Sequence, residues 1–522
     1  MKLTSLFSLL ILVGISAWRA ETPTPADTTA DPVDSTDILS AVLALQEKMP
    51  APSESFRPGH VNAREISDYL EKTDEGFTIT LPKRSLTPSP TIYKGILYVS
   101  GGFGSKEFYA FDAQTGKVLW GMDLDDDGPS SAVVENDIVV FNTESCTIFA
   151  LNYQTGEHLW SYFLGDPLMS TPSIKDGIVF TAYPAGRGNI GLPPAKNIFS
   201  PSLPNQSNQS VSPPKPEPST DGLQGTHVLI AMELESGNIL WQKWIDGDIM
   251  SSPIIVDEEL YCTTFPGTLY KLHAKTGEFL SAKASRATSA PTIVDDGLYL
   301  TQRSDKDKEN VQESIGIYSR QTAGRSRGYY KKEAPYLDEK VQNESNLKEL
   351  STAYDAGNGF SGGAPSSAGA TKASANIGQS NVSSLQSYHG SRILHHDGRN
   401  YATMGDELVC SDPEKGDVIW KKKLEGDLSS SGGFLGTPPL IVNGKLIMAT
   451  LEGNVMIYDA DKGKKLEEYE TGESIRFQPV VYQGNIYVST TSGKVVCIKT
   501  KDASIDGWPT WGANNAHTNL PF

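Results

Sequence analysis

The thirteen residues FYAFDAQTGKVLW (108–120) return as IFALNYQTGEHLW (148–160), LIAMELESGNILW (229–241), LYKLHAKTGEFLS (269–281), LVCSDPEKGDVIW (408–420) and VMIYDADKGKKLE (455–467). Trp120 and Trp160 stand 40 residues apart, as do Gly237 and Gly277. Each copy alternates apolar and polar side chains, turns at a Thr-Gly, Ser-Gly or Lys-Gly pair, and resumes in a β-rich run, the pattern of a two-stranded hairpin. Self-similarity at a fixed period constrains the fold more than length does. A chain of 522 residues that would otherwise suggest several domains becomes one repeat architecture.

A second signature precedes the first: SPTIYKGILYVS (89–100), TPSIKDGIVFTA (171–182), SAPTIVDDGLYLT (289–301), TPPLIVNGKLIMAT (437–450) and QPVVYQGNIYVST (478–490). A small residue beside proline leads to an Asp-Gly, Asn-Gly or similar turn and an apolar run, which makes another hairpin. Two hairpins give a four-stranded unit of roughly 40 residues, the size of a propeller blade. Such units begin near Ser89, Ser131, Thr171, Ser252, Ser289, Arg392, Thr437 and Gln478. The last ends in GKVVCIKT (493–500), one strand short, and GFTITLPKRSLTPSP (76–90) supplies the missing strand. The expectation is an all-β, eight-bladed β-propeller of four-stranded repeats over 76–502, closed by an N-terminal strand so that no sheet edge is left at the seam. The regular spacing excludes a sandwich.

Around the repeats, Lys2, the apolar run Leu6–Val13 and the small residues Ser16, Ala17 and Ala20 read as a secretory signal over 1–20. Residues 21–75 are expected to be mostly irregular with a helix near 37–48, and 503–522 form a Trp- and Asn-rich tail. The chain is therefore expected to be exported, periplasmic or extracellular, soluble and monomeric. A formal charge of -18 repels phosphate backbones and anionic lipid surfaces, which excludes nucleic acid as a partner. Cys146, Cys262, Cys410 and Cys497 are widely separated and expected to be free thiols.

At SPTIYKGILYVSGGFGSKEFYAFDAQTGKVLW (89–120) the chain resembles the pyrroloquinoline-quinone (PQQ)-like β-propeller repeat, and the resemblance extends over 76–500. GWPTWGANNAHTN (507–519) is similar to a segment found at an end of such proteins. The resemblance implies that Trp120, Trp160, Trp241 and Trp420 are docking tryptophans wedged between blades. It points to two groups: PQQ-dependent dehydrogenases, and cofactor-free propellers such as the periplasmic scaffold of the outer-membrane β-barrel assembly machine. The dehydrogenases typically carry a vicinal disulfide and a calcium or lanthanide site of Glu, Asn and Asp. This sequence has no adjacent cysteines, no match to that ligand set and no Cys-x-x-Cys-His.

Weaker motifs compete. Asp123, Asp125 and Asp127 before Gly128 match the opening of a calcium loop, but the twelfth position is Val134 rather than Glu, so a solvated acidic turn is the plainer reading. His395 and His396 are adjacent and point to opposite faces of a strand, so they read as surface histidines beside a turn rather than a metal pair. The Asn-x-Ser/Thr sites at Asn205, Asn208, Asn343 and Asn381 sit in Ser/Asn-rich stretches where chance matches are common.

Insertions at 184–225, 303–313 and 331–388 fall in second-to-third-strand or blade-to-blade loops, which emerge on one face of a propeller. At the same mouth Arg286, Arg392, Arg476 and Gln478 stand out among small residues at the blade starts. They offer a receptor for a carboxylate or acidic partner, against a structural role in ion pairs with Asp166, Asp246, Asp248 or Asp427. The expected function is a non-catalytic exported propeller that binds or scaffolds a protein or polymer partner at this mouth, with no cofactor. The alternatives are a PQQ-dependent dehydrogenase with an atypical site and a calcium-stabilised carbohydrate or adhesion module.

Overall fold

The structure, a computed structural model, describes residues 36–49, 58–144, 147–164, 170–184, 223, 225–304, 311–321, 327–334, 337, 376, 391–428 and 434–520. The signal segment, the four Asn-x-Ser/Thr sites, Cys146, Asp166 and most of the insertions lie outside them. The described residues form eight antiparallel sheets arranged as an eight-bladed β-propeller. Blade one is typical: Thr91–Tyr93 is innermost, then Ile96–Ser100, Glu107–Asp112 and, outermost, Val118–Leu124. Ile96–Ser100 is buried at every residue because other blades cover both of its faces, whereas the outermost strand alternates. A register shift sits just inside the third strand of most blades, at Ala110/Phe111, Ala150/Leu151 and Cys410/Ser411 among others.

That shift aims the tryptophan at the next blade. Trp160, Trp241 and Trp420 each donate Nε1–H to a carbonyl of the following blade, Leu234 at 2.8 Å, Ala274 at 2.8 Å and Ala460 at 3.1 Å. Their rings lie under that blade's turn glycine: a Cβ at Gly237, Gly277 or Gly463 would come within 2.9, 2.7 or 2.5 Å of the indole. Each of these glycines also has a positive φ, so the position demands glycine twice over. Trp120 packs under Gly156 in the same way, but its Nε1 has no partner, because Tyr98 donates its hydroxyl to the equivalent carbonyl of Tyr153 at 2.8 Å.

The small residues at the blade starts also tie neighbours together. Ser131 Oγ donates to Ser89 O at 2.8 Å, Ser89 Oγ to Gln478 O at 2.7 Å, and Ser391 Oγ to Pro291 O at 3.1 Å. The ring closes as expected: Gly76–Thr80 pairs with Lys494–Lys499. Phe77 faces Cys497 where Trp120 faces Ala110, and it takes the docking place under Gly116.

The segment expected to be mostly irregular is more ordered than that. The helix Leu39–Lys48 buries Val42 and Leu45 on blades three and four. Thr36–Asp37, Val61–Ala63 and Leu70–Thr73 each add a fifth strand, to blades four, one and eight. An outer strand presents a row of unpaired N–H and C=O groups, so even a three-residue run gains by pairing with it. Runs so short carry no periodicity of their own.

The tail enters the ring from the face opposite the insertions, where Ile505 O accepts from Gly484 N at the first turn of blade eight. It then lies against the inner strands. Trp508 O, Pro509 O, Asn515 O and Ala516 O accept from Val481, Ile92, Ile174 and Ile255 N–H, in blades eight, one, three and four. Asn515 exchanges two bonds with the backbone of Val134 in blade two, at 3.1 and 2.6 Å. Asn519 Nδ2 reaches Thr292 Oγ1 of blade five at 3.1 Å and Ile393 O of blade six at 3.4 Å. The channel is thus filled by the chain's own C-terminal residues.

Cys262, Cys410 and Cys497 are buried and free, and Cys410 and Cys497 occupy equivalent places in blades six and eight. Burial pushes the thiols of Cys410 and Cys497 up to about 11 and about 12, so neither is a nucleophile at neutral pH. No helix among the described residues is long and apolar enough to cross a membrane.

Candidate functional site at the loop-rich mouth

Second-to-third-strand loops and blade-to-blade connections share one face, and buried acids fasten them to each other. Asp126, in the connection leaving blade one, accepts from the hydroxyls of Thr143 (2.7 Å) and Thr147 in the loop of blade two. Asp246 does the same between blades three and four, accepting from Thr264 at 2.9 Å, Thr268 at 2.6 Å and Tyr270 at 3.1 Å. Asp246 therefore holds hydroxyls rather than one of the arginines.

One half of this mouth is covered. Met250, Phe265, Ala334, Leu337 and Phe434 form a buried apolar cluster drawn from the blade three–four connection, the blade four loop, the start of the 331–388 insertion and the blade six–seven connection. Arg303 Nη1 bonds the carbonyls of Leu337 at 3.4 Å and Asn376 at 3.2 Å. Asn376 Nδ2 donates to Phe265 O at 3.2 Å and Ala287 O at 2.6 Å. Two described points of the long insertion are thus stitched over blades four and five.

Arg392 belongs to this covered half. Its side chain is 4% exposed and pairs with Glu313, which is 0% exposed. Nη2 also donates to Thr301 Oγ1 at 2.7 Å and Thr288 O at 3.0 Å, and the guanidinium lies 4.1 Å from the Phe434 ring centroid. Gln478 is equally committed. Its Nε2 donates to Pro439 O at 2.9 Å, and its Oε1 accepts from Gly512 N at 2.8 Å and Trp508 Nε1 at 3.2 Å, clamping the tail. Of the two roles offered for these residues, receptor and structural tie, burial and internal bonds favour the structural one for both. Arg286 and Arg476 are half-buried in the blade four–five and seven–eight connections.

Among the described residues the other half is less covered: loops of blades eight, one, two and three surround a partly open pocket of about 50 Å³. Leu86 and Pro88 come from the connection between blades eight and one, Phe103 from the blade one loop, and Gly128 to Ser131 from the connection into blade two. Asn142 to Glu144, Ser170, Thr171 and Phe477 complete the wall. Sequence reasoning passed over Phe103, Phe477 and Ser170, since lone aromatics and serines in loops carry no spacing signal; only their place in mouth-facing loops could have marked them.

The calcium candidates separate. Asp123 pairs with Arg64 at 2.8 Å and Asp127 with Lys106 at 3.5 Å, while Asp125 N bonds His60 O at 3.2 Å. Among the described residues no three His, Cys, Asp or Glu side chains converge to hold a metal ion. His395 lies beside the turn and is half-buried there: it stacks on Tyr299 at 4.6 Å and bonds Asn400 Oδ1 at 2.6 Å.

A family model described as outer membrane protein assembly factor BamB matches residues 72–189 and 364–508, just over half of the chain. The chain is 24% identical over 226 residues to outer membrane protein assembly factor BamB of Yersinia pestis, covering 38% of this chain and 57% of that protein. It is 27% identical over 142 residues to the uncharacterized protein RP232 of Rickettsia prowazekii (strain Madrid E), covering 26% of this chain and 32% of that one. The chain thus spans about a third to somewhat over half of these relatives' lengths. The crystal structure of BamB from Moraxella catarrhalis superposes with a TM-score of 0.50 at 13% identity, covering 83% of this chain and 98% of that one, a likeness of fold.

Proposed function

The chain belongs to the family of outer membrane protein assembly factor BamB, and from that premise we propose that it is an exported, non-catalytic scaffold that binds a partner protein through the less covered half of its mouth. The observation that carries the reading is the pairing of a rigid, acid-fastened rim with a channel filled from behind by the chain's own tail. Such a ring offers no passage along its axis, and what remains is a fixed surface on which loops of four blades converge. A partner with a basic docking face would be steered toward a protein of charge -18.

A photo-crosslinking residue placed at Phe103 tests this against one placed at Lys94, in a turn on the opposite face. Cross-links to a single cell-envelope protein from position 103 and none from position 94 are the expected result. Equal labelling from both faces overturns the reading. So does dye-linked alcohol or sugar oxidation by the purified protein supplied with PQQ and calcium.

A further inference from the structure

We infer that the outer edge of blade seven, Lys465–Glu470, is a docking site that takes an extended, basic segment of a partner protein as a fifth strand. The inference adds a surface on the rim to the scaffold reading and does not depend on the mouth.

The chain itself shows what such edges accept. Its N-terminal segment runs along the rim and bonds five consecutive outer strands. Asp37 pairs with Lys283 of blade four, and the amide of Gln46 exchanges two bonds with the backbone of Trp244 in blade three, at 2.9 and 3.0 Å. Gly59 exchanges two with Ser161 Oγ in blade two, at 2.9 and 3.1 Å. Val61–Ala63 and Leu70–Thr73 then complete blades one and eight. Among the described residues, the outer strands of blades five, six and seven, Arg327–Glu333, Val418–Lys423 and Lys465–Glu470, pair with no further strand. Blades five and six flank the 331–388 insertion, most of which lies outside the described residues. Blade seven is described over 434–470, together with the blade eight strands beside it. All of Lys465–Glu470 except Tyr469 is exposed, Leu466 at 43%.

Register then names the chemistry of the partner. In blades one and four the added segment donates from Arg64 N to Gly121 O at 2.8 Å and from Ile38 N to Ala282 O at 3.0 Å. Gly121 and Ala282 stand opposite the third residue of the blade's third strand, Tyr109 and Tyr270. In blade seven that residue is Met456, and the one opposite it is Glu468. Two residues further on, Asp123 of blade one takes the guanidinium of Arg64 at 2.8 Å, and Glu470 holds the same place in blade seven. Glu468 is paired with Lys465, and Glu467 accepts from the Tyr469 hydroxyl. Glu470 has no ion pair or hydrogen bond among the described residues. An outward carbonyl two residues from an uncommitted carboxylate fits a strand with arginine or lysine where the rim segment has Arg64.

Charge on an edge commonly keeps other strands away. Here it discriminates among them. A second copy pairing edge to edge would set glutamates beside glutamates. Residues 21–35 of this chain carry Glu21, Asp27, Asp31 and Asp34 and no base, so they match the edge no better. Asp123 shows that an acidic edge residue permits pairing when the incoming strand brings a cation.

The probe is the acetylated and amidated octapeptide VKVRVKVR with a fluorophore, titrated into the full-length protein by fluorescence anisotropy at about 150 mM salt. It should bind with a dissociation constant on the order of 100 μM. The same peptide N-methylated at two adjacent central residues keeps its charge but loses a donor from each edge, and it should bind at least about 10-fold more weakly. Glu470→Lys should weaken the parent peptide at least about 5-fold and Glu470→Gln about 2- to 3-fold, with thermal unfolding unchanged. A benzophenone on the peptide should cross-link within Lys465–Glu470. Equal binding of the N-methylated peptide would mean attraction by charge alone and overturns the inference. So do indifference to Glu470→Lys and cross-links confined to the mouth or to blades five and six. Self-association of the wild type that Glu470→Lys abolishes would seat a second copy on the edge instead. Binding seen only after deletion of 21–35 would mean that the chain covers this edge itself, and either result also overturns it. The mouth cross-link reads a different surface, so the scaffold reading stands if the peptide fails, and the rim site stands if the cross-link fails.

Discussion

The two halves of the mouth are made from the same repeat and end differently. Over blades four to seven, the start of the long insertion lays Ala334 and Leu337 on Met250, Phe265 and Phe434, and a buried ion pair, Arg392–Glu313, lies beneath. Over blades eight to three, where most of the 184–225 insertion lies outside the described residues, Phe103 and Phe477 line a small, partly open pocket. One half has converted its mouth into core; the other keeps a small pocket in a wall of mostly buried residues, Phe477 being as buried as Phe434 at 8%. Substitutions should therefore cost most in the covered half.

The sharpest break in that comparison is Arg392→Ala. It leaves Glu313 buried without its cation and should cost about 3–5 kcal/mol in urea unfolding. Arg392→Ala combined with Glu313→Gln should recover much of this, and a cost below about 1 kcal/mol would mean that the covered half is not core. Next, Leu337→Ala should cost about 2–3 kcal/mol, within the range for a buried leucine. Leu86→Ala, on the partly exposed pocket wall across the mouth, should cost less than about 1 kcal/mol. Similar melting shifts for the two would erase the distinction between halves.

The tail bridges both halves, so it offers a paired measurement. Asn515→Ala removes two bonds to blade two in the less covered half, and Asn519→Ala removes those to blades five and six under the covered half. Each should lower stability by about 1–2 kcal/mol, with Asn515 the larger because it exchanges both a donor and an acceptor with Val134.

The last effect expected is that of pH. His517 is stacked on Trp511 at 3.7 Å, and burial pushes its imidazole down to about 4 from an ordinary 6.5. Below pH 6.5 the unfolded chain takes up a proton that the folded one refuses. The tail's contribution is thus complete above about 6.5 and falls as pH drops toward 4. Buried His227, pushed down to about 3, adds to the same slope. A His517→Gln variant should flatten the stability profile between pH 6.5 and 4.5; an unchanged slope would show that His517 does not set it.

The docking tryptophans were legible because a repeat states its own geometry. Trp120, Trp160, Trp241 and Trp420 recur at fixed distance from a turn glycine, and each ring lies under the next blade's glycine. Where the pattern lapses, a different bond takes over. Ser281 stands at the tryptophan position of blade four, and blade five is held instead by Arg320, which reaches Glu259 at 2.9 Å and Asp257 at 2.6 Å. Burial opposes ionisation of Glu259, but hydrogen bonds from Lys271, Tyr261 and Arg320 hold it down to about 2. Arg392 and Gln478 were picked out as exceptions to a pattern of small residues, which they are. Of the two roles offered for them, the structural one fits, because a large polar side chain can be an exception by filling a gap inside.

What this sequence determined by itself is the blade: strand alternation, turn glycines, Ser-Pro starts and docking aromatics are all local or one repeat apart, and periodicity displays them. The number of blades and the N-terminal closure follow, since a unit missing one strand needs that strand from elsewhere. Only the tertiary structure decided how the non-repeating parts are used. Val61–Ala63 pairing with Val118–Leu124, Asn515 bonding Val134, and Leu337 clustering with Phe434 each join residues 59 to 381 positions apart through a few bonds or apolar contacts. Contacts so few and so distant leave no period to detect. They form because a closed ring presents edges, a channel and a mouth whose unpaired backbone and apolar surface the remaining chain can cover.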